Sequence, residues 1–116
     1  MHELSLAMEI VKLLEAHAHE LAHITCLTLD IGTLSCVDEG ALRTALNSAL
    51  QGTLAQDAQV NIHTIEALAQ CQDCQHRFSP TTRIDPCPAC GSFRKVWLAG
   101  QDFRLRSIEG VERTRA

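Results

Sequence analysis

The sequence predicts an α+β fold in which a small three-stranded sheet and two helices form one domain, with a cysteine-rich domain inserted into it. Helix-like and strand-like patterns alternate over the first 66 residues, a segment rich in cysteines and prolines follows, and a strand-like stretch lies near the C-terminus. Two strands alone make a poor sheet, so we expect the last strand to return as the third. The predicted domains are residues 1–66 with 107–116, and residues 67–106.

The chain is predicted to begin with a helix that leads into a strand. Apolar side chains recur at spacings of three and four over residues 4–22 without an interrupting Gly or Pro, which predicts a helix. Residues 24–31 are rich in β-branched side chains and partly alternating, which predicts a strand that ends at Gly32.

A second helix and a second strand are predicted to follow. Ser35 and Asp38 have the spacing of a capping box, so Ser35 is the expected N-cap of a helix that runs to about Leu50. Residues 60–66 alternate and are predicted to form a strand. A helix that joins two strands favours a parallel pair.

The C-terminal part is predicted to hold a hairpin and the last strand. Residues 95–99 and 103–106 flank Gly100-Gln101-Asp102, a pattern typical of a hairpin. Residues 107–112 form the expected returning strand.

Charge divides the chain into two parts. The net charge is −4, but residues 1–70 carry nine acids against two bases, whereas residues 71–116 carry five acids against eight bases. We find no apolar run long enough to span a membrane and no signal peptide, so we expect a cytoplasmic chain without a membrane partner. In that reducing compartment the six cysteines are expected to be metal ligands or free thiols.

Two C-x-x-C pairs carry the strongest chemical signal. They are separated by twelve residues and comprise Cys71, Cys74, Cys87 and Cys90. Two such turns supply four thiolates to one tetrahedral zinc ion, which then has no open coordination position and is structural. The inserted domain is therefore predicted to resemble a zinc ribbon. Disulfides or a redox dithiol are the alternatives.

His19-Glu20-Leu21-Ala22-His23 matches the H-E-x-x-H motif of zinc proteases. No third ligand follows at the usual spacing, and Glu39 is the nearest acid that could serve. We expect these histidines in the last turn of the first helix, where they complement its dipole, and we keep a protease as a remote alternative.

A second His-Glu-Leu stands at the N-terminus, in Met1-His2-Glu3-Leu4. The α-amine of Met1, the backbone amide of His2 and its imidazole can form fused chelate rings. Such nitrogen donors suit square-planar nickel or copper. A solvated terminus is the alternative.

The chain resembles the HypA/HybF family of hydrogenase nickel-incorporation accessory proteins. The resemblance rests on four stretches in the same order: Met1-His2-Glu3-Leu4-Ser5, the turn at residues 31–38, the two C-x-x-C pairs, and Ser107-Ile108-Glu109.

The resemblance implies a nickel metallochaperone that binds transported Ni²⁺ weakly at its N-terminus and holds structural Zn²⁺ on the four cysteines. The implied nickel ligands are His2, with the backbone of His2 and Glu3, and the side chains of Glu3 and Asp38 are further candidates beside the Met1 amine. Residues 1–66 with 107–116 would be the nickel-binding domain, and residues 67–106 the zinc-binding domain. The implied partners are a GTPase accessory protein and the hydrogenase large subunit, and a homodimer stays open.

The main alternative is a zinc-ribbon module that binds nucleic acid or another protein. Arg94, Lys95, Arg104 and Arg106 could meet phosphates, but aromatic side chains for base stacking are nearly absent and the first part is acidic. We therefore expect no nucleic-acid partner. The sequence has no Walker A loop and no recognisable nucleophile–base pair, so we predict that the chain is not an enzyme and that a nucleotide-driven step belongs to a partner.

Overall fold

The structure is a computed structural model that describes residues 3–114. In chain order the elements are α1 (Glu3–His17), β1 (Leu21–Gly32), α2 (Glu39–Ala49), β2 (Gln59–Ile65), β3 (Leu68–Cys71), β4 (Arg77–Phe78), β5 (Lys95–Ala99) and β6 (Phe103–Glu112). The strands form two three-stranded sheets, ordered β2-β1-β6 and β4-β3-β5. The predicted α+β class, with two helices and a three-stranded sheet, is confirmed. Between residues 3 and 114, neither helix has the length and apolar character that crossing a bilayer requires.

The chain divides into two compact units. The first comprises the described residues of Met1–Leu29, Val37–Ile62 and Leu105–Ala116, and the second comprises Asp30–Cys36 and His63–Arg104. Both helices therefore belong to the first unit, and all four cysteines of the C-x-x-C pairs belong to the second.

Strand β1 is the centre of the first sheet and runs parallel to β2. Near the start of the pair, Asn61 Nδ2 donates to Cys26 Sγ over 3.1 Å. Beyond its end, the amide of Thr33 donates to the carbonyl of Ile65 over 2.9 Å. From the first contact to the second, the residue number rises in both strands. The strands therefore run parallel, as the sequence predicts.

Strand β6 closes the sheet on the other side of β1 and runs antiparallel to it. The amide of Arg113 donates to the carbonyl of Glu20, and the amide of Gly32 donates to the carbonyl of Asp102, each over 2.8 Å. The predicted return of the last strand to the first sheet is thus confirmed.

The predicted hairpin over residues 95–106 is wrong, because β5 and β6 belong to different sheets. The amide of Leu34 donates to the carbonyl of Gly100 over 2.9 Å, beside the bond between Gly32 and Asp102. Residues 100–102 are therefore held by the segment that follows β1, and the chain enters β6 instead of turning back on β5. Gly100 has a φ of 87°, and a Cβ there would collide with the backbone of Ala67.

The first unit has an aliphatic core. Helix α1 packs against α2, and the buried side chains of this unit include Ile10, Leu14, Ile24, Leu27, Leu42 and Leu46. The apolar stripes of the two helices supply this core, as amphipathic helices on a sheet normally do.

The first helix ends five residues earlier than predicted, because residues 20–24 form hydrogen bonds with residues that are distant in the sequence. The carbonyl of Glu20 accepts from Arg113, and the amide of Ile24 donates to Leu54 over 2.8 Å. These tertiary hydrogen bonds outweigh the helix propensity that Glu20, Leu21 and Ala22 give the segment. The expectation that His19 and His23 lie in the last turn of α1 is therefore wrong.

The predicted N-cap of the second helix is also wrong: the cap is Asp38, not Ser35. Asp38 Oδ1 accepts from the amide of Ala41 over 3.2 Å. Ser35 Oγ instead donates to the carbonyl of Gly32 over 2.7 Å and closes the turn after β1. Cys36 has a φ of 60°, a left-handed conformation that an α-helix cannot include, so α2 begins only after it.

The second unit is built on β3, which lies between two antiparallel neighbours. Ala69 pairs with Phe78 of β4, and Cys71 pairs with Lys95 of β5. The sequence did not predict β3 or β4, since both are short and lie in a segment dominated by turn residues. Their pairing places the end of β3, where Cys71 stands, beside the start of β5.

Candidate metal centre

The two C-x-x-C turns, here called the first knuckle (residues 71–74) and the second knuckle (residues 87–90), have the same backbone design. In the first, the amide of Gln75 donates to the carbonyl of Cys71, and the amide of Cys71 donates to the carbonyl of His76. In the second, Gly91 and Ser92 repeat these roles towards Cys87. The residue after each knuckle is left-handed, with φ of 66° at Gln75 and 78° at Gly91.

This design brings the four cysteine sulfurs together. Cys71 Sγ lies 3.5 Å from Cys90 Sγ, and Cys74 Sγ lies 3.6 Å from Cys87 Sγ. All four sulfurs lie within 4.8 Å of one another. Zinc–sulfur bonds of about 2.3 Å in a tetrahedron separate the sulfurs by roughly 3.8 Å, so the cluster has about the dimensions of a site for one zinc ion.

The thiols differ in their readiness to ionise. The backbone amide of Cys74 is the main group that lowers the pKa of Cys71 to about 6, although burial acts in the opposite direction. The amide of Ser92 lowers the pKa of Cys90, but the Cys71 thiol, burial and the other two cysteines outweigh it and raise the value to about 12. For Cys74, the His76 amide likewise lowers the pKa, but burial and the thiols of Cys87 and Cys71 raise it overall. A thiolate cluster needs a cation to neutralise it, so metal uptake here would release protons.

Polar side chains connect the two knuckles. Asp73, inside the first knuckle, accepts a hydrogen bond from Ser92 Oγ. The other carboxylate oxygen of Asp73 pairs with Arg94 Nη1 at 3.1 Å. The sequence pattern did not single out Asp73 or Ser92, because nothing in a C-x-x-C motif specifies what its intervening residues contact.

The connector between the knuckles is anchored on the single tryptophan. The Arg83 guanidinium carbon lies 6.0 Å from the centroid of the Trp97 ring, and Lys95 Nζ lies 5.8 Å from it. Arg83 Nη2 also donates to the carbonyl of Leu34 over 2.9 Å. The two contacts of Arg83 tie the connector to β5 and to the turn after β1, within the second unit.

Two of the predicted nickel ligands, Glu3 and Asp38, lie in the first unit. Met1 and His2 are outside the described residues. Glu3 is the first residue of α1 and is half-buried, and Asp38 is the exposed N-cap of α2. The Asp38 oxygen Oδ1 is engaged with the helix, which leaves Oδ2 as the atom that could face a metal.

The H-E-x-x-H motif does not form the helical pair that a zinc protease uses. His19 and Glu20 occupy the turn after α1, whereas His23 lies on β1. Over residues 3–114, the group of three or more potential ligands that converges is the four cysteines, and neither histidine belongs to it. This geometry removes the structural basis for the protease alternative.

Comparison with known proteins identifies the relatives of this chain. The family described as "Hydrogenase/urease nickel incorporation, metallochaperone, hypA" matches residues 1–110. The chain belongs to this family. The resemblance drawn from the sequence motifs is thereby confirmed, and with it the assignment to the hydrogenase nickel-incorporation metallochaperones.

Individual HypA-family relatives cover nearly the whole chain. Hydrogenase maturation factor HypA of Parabacteroides distasonis is 40% identical over 110 residues, covering 93% of this chain and 96% of the relative. Hydrogenase maturation factor HybF of Klebsiella pneumoniae is 37% identical over 112 residues, covering 95% and 99%. The solution structure of the Ni metallochaperone HypA from Helicobacter pylori has a TM-score of 0.74 at 27% identity, covering 97% of this chain and all of the relative. This chain therefore shares the HypA fold.

Proposed function

We propose that this chain carries Ni²⁺ at its N-terminus and delivers it for assembly of the nickel–iron centre of hydrogenase. The observation that carries the proposal is the match to the nickel-incorporation family over residues 1–110, a range that includes Met1-His2-Glu3. The solved relative from Helicobacter pylori is itself described as a Ni metallochaperone, which supports the same cargo.

The proposed nickel ligands are the Met1 amine, the amide and imidazole of His2, and the backbone of Glu3, with the side chains of Glu3 and Asp38 as additional donors. Nitrogen donors of this kind favour Ni²⁺. A cation near the start of α1 is disfavoured by the helix dipole, and the carboxylate of Glu3 in the first turn offsets this effect. A site with these opposing contributions is suited to a carrier that must release its metal.

The proposed role of the four cysteines is to hold one structural zinc ion. The support is the convergence of the four sulfurs within 4.8 Å. Four thiolates complete the coordination of zinc, so the ion would stabilise the knuckles and would have no position for a substrate. On this proposal, residues 67–106 form the zinc-binding domain, and residues 1–66 with 107–116 form the nickel-binding domain.

The proposed partners are a GTPase accessory protein and the hydrogenase large subunit. The chain has no Walker A sequence, so energy from nucleotide hydrolysis would have to come from another protein. We also infer that the chain is not itself an enzyme. A cytoplasmic location is proposed because all six cysteines are free of disulfides, a state that a reducing compartment preserves.

A metal-binding experiment with a matched control tests the proposed sites. The chain is expressed with native Met1 and no N-terminal tag, its zinc is measured by elemental analysis, and Ni²⁺ is titrated by calorimetry. His2→Ala should abolish nickel binding, whereas His19→Ala, in the second His-Glu-Leu copy, should leave it unchanged. Zinc should be present at about one ion per chain and should be lost in Cys74→Ala. Undiminished nickel binding by His2→Ala would contradict the proposed nickel site.

A further inference from the structure

Each knuckle is closed by its own backbone, and the pairing of β3 with β5, together with the contacts beside it, links the two knuckles. The bond from Gln75 to Cys71 closes the first knuckle, and the bond from Gly91 to Cys87 closes the second. Besides the β3–β5 ladder, the amide of Gln72 donates to the carbonyl of Arg94, which follows the second knuckle, over 2.9 Å. The side chain of Asp73, the next residue, crosses at the same place.

Asp73, Ser92 and Arg94 form a closed set of contacts, which we call the inter-knuckle clamp. One Asp73 oxygen accepts from Ser92 Oγ, and the other pairs with Arg94 Nη1 at 3.1 Å. The amide of Arg94 donates to Ser92 Oγ over 3.1 Å, which orients the hydroxyl towards Asp73. Asp73 lies between Cys71 and Cys74, and Ser92 follows Cys90 by two positions. The clamp therefore joins the two halves of the cysteine cluster without using a metal ligand.

We propose that the inter-knuckle clamp holds the two knuckles at the separation that zinc requires and thereby slows the release of zinc. This inference rests on the proposed zinc site and assigns to Asp73, Ser92 and Arg94 a positioning role towards it. With the clamp closed, the four thiols are preorganised for the metal, so zinc binding loses less conformational entropy. With the clamp open, one knuckle can move away and its sulfurs leave the zinc ion stepwise.

The expected effect is moderate because the clamp is partly exposed. The side chain of Arg94 is 70% exposed and that of Asp73 is 43% exposed, and an ion pair in such surroundings contributes little by itself. Groups that orient metal ligands nevertheless change metal affinity by roughly 10-fold to 100-fold. We therefore expect zinc release to accelerate on the order of tenfold when Asp73 is removed.

The experiment measures the zinc release rate of the full, zinc-loaded chain with an excess of a chromogenic chelator. The variants are Asp73→Ala, Ser92→Ala and Arg94→Ala. Glu66→Ala is the matched control, because it removes an exposed acid of the same unit whose carboxylate has no hydrogen bond or ion pair among residues 3–114.

The clamp variants should release zinc faster than wild type, and Glu66→Ala should match it. Because Asp73 and Arg94 act as one unit, their double variant should release zinc no faster than Asp73→Ala alone. Added salt should narrow the gap between wild type and Asp73→Ala by screening the ion pair, an effect that a purely packing role would not produce.

Release from Asp73→Ala at the wild-type rate would overturn the proposal. If Asp73→Ala does not give folded, zinc-loaded chain, Ser92→Ala decides: faster release supports the clamp, and a wild-type rate overturns it. Failure of the zinc site itself has a different signature, since wild type would then carry no zinc or Cys74→Ala would retain it.

Discussion

Asp38 offers a way to separate a structural role from a metal-binding role at one residue. Its Oδ1 accepts from the amide of Ala41 over 3.2 Å, and its backbone is extended, with φ of −82° and ψ of 115°. Its carbonyl accepts the first helical hydrogen bond, from Leu42, over 2.9 Å. Asp38→Ala removes the side-chain acceptor and the negative charge but leaves the backbone bond in place.

The cost of Asp38→Ala follows from these contacts. Loss of an N-cap side chain costs about 1 kcal/mol, and loss of a negative charge at the start of a helix adds roughly 0.3–1 kcal/mol. The helix should survive, because Leu42 and Leu46 remain buried against the core. The two losses total roughly 1.3–2 kcal/mol, so for a domain of this size the melting temperature should fall by roughly 5–15 °C.

Asp38→Asn separates the two roles, since an asparagine oxygen caps a helix as well as an aspartate oxygen does. This variant should lose only the smaller charge contribution to the free energy of unfolding. If the Asp38 carboxylate contributes to nickel binding, Asp38→Asn should weaken nickel affinity while its melting temperature stays close to that of wild type. Thermal denaturation followed by circular dichroism and calorimetric nickel titration measure the two effects.

The matched control is Asp57→Ala, which removes an exposed acid of the same unit that makes no side-chain hydrogen bond or ion pair within the described range. It should melt like wild type. An Asp38→Ala chain that melts like this control would refute the capping role. An Asp38→Asn chain as unstable as Asp38→Ala would show that charge, and not the hydrogen-bond acceptor, provides the stabilisation.

Three further predictions concern the core, the knuckles and the connector. Leu42 is fully buried, so Leu42→Ala should lower the free energy of unfolding in urea by about 2–5 kcal/mol. Gly91 has a φ of 78° and no atom within 4 Å of where a Cβ would stand, so Gly91→Ala should lower the free energy of unfolding by roughly 1–2 kcal/mol through backbone strain alone. Gln75→Gly, at the matching position of the first knuckle, should relieve such strain, and the same urea denaturation measures both variants. The Thr82 hydroxyl is the main group that lowers the pKa of Asp85 from 3.8 to about 2, so Asp85 should stay ionised near pH 4 in a carboxyl ¹³C NMR titration, where an ordinary aspartate is close to half protonated.

Each of these predictions has an outcome that contradicts it. A Leu42→Ala chain as stable as wild type would mean that α2 does not pack as described. Equal stability of Gly91→Ala and wild type would show that left-handed geometry after the second knuckle is not required. The depressed pKa means that Asp85 contributes its stabilisation above its ordinary value of 3.8 and loses it only as the pH falls through about 2. Half-protonation of Asp85 near pH 4 would show that its pKa is not lowered and that its ionisation contributes no such stabilisation.

Periodicity predicted the elements of the first unit well, because their signals are local. Helix α1 begins within a residue of its predicted start, and β2 lies within one residue of its predicted bounds. The end of α1 was missed because residues 20–24 bond to the distant Arg113 and Leu54, and no local pattern reports such partners.

The cap of α2 and the exit from β5 show a second kind of failure. Ser35 is a residue type that favours the N-cap position, but the left-handed backbone of Cys36 moves the N-cap three residues later, to Asp38. Gly100 is a residue type that favours hairpin turns, but its carbonyl accepts a hydrogen bond from the amide of Leu34. In both places the turn residues were recognised, and the partner that determines the direction of the chain lies far away in sequence.

The cysteine cluster was predictable because the C-x-x-C spacing encodes the turn, and two turns suffice for a tetrahedral site. The inter-knuckle clamp was not, because Asp73, Ser92 and Arg94 meet only through the pairing of β3 with β5. Short strands with few apolar residues give little signal in a sequence.

The most direct test of the central claim, nickel delivery to hydrogenase through the N-terminus, is made in cells. A bacterial strain that lacks its own HypA-family protein is given this chain with a native N-terminus, and the nickel content and activity of its purified hydrogenase are measured. We predict that wild type restores both, that His19→Ala restores both equally, and that His2→Ala restores neither although it accumulates to the same level. Full nickel loading of hydrogenase by His2→Ala would contradict the account.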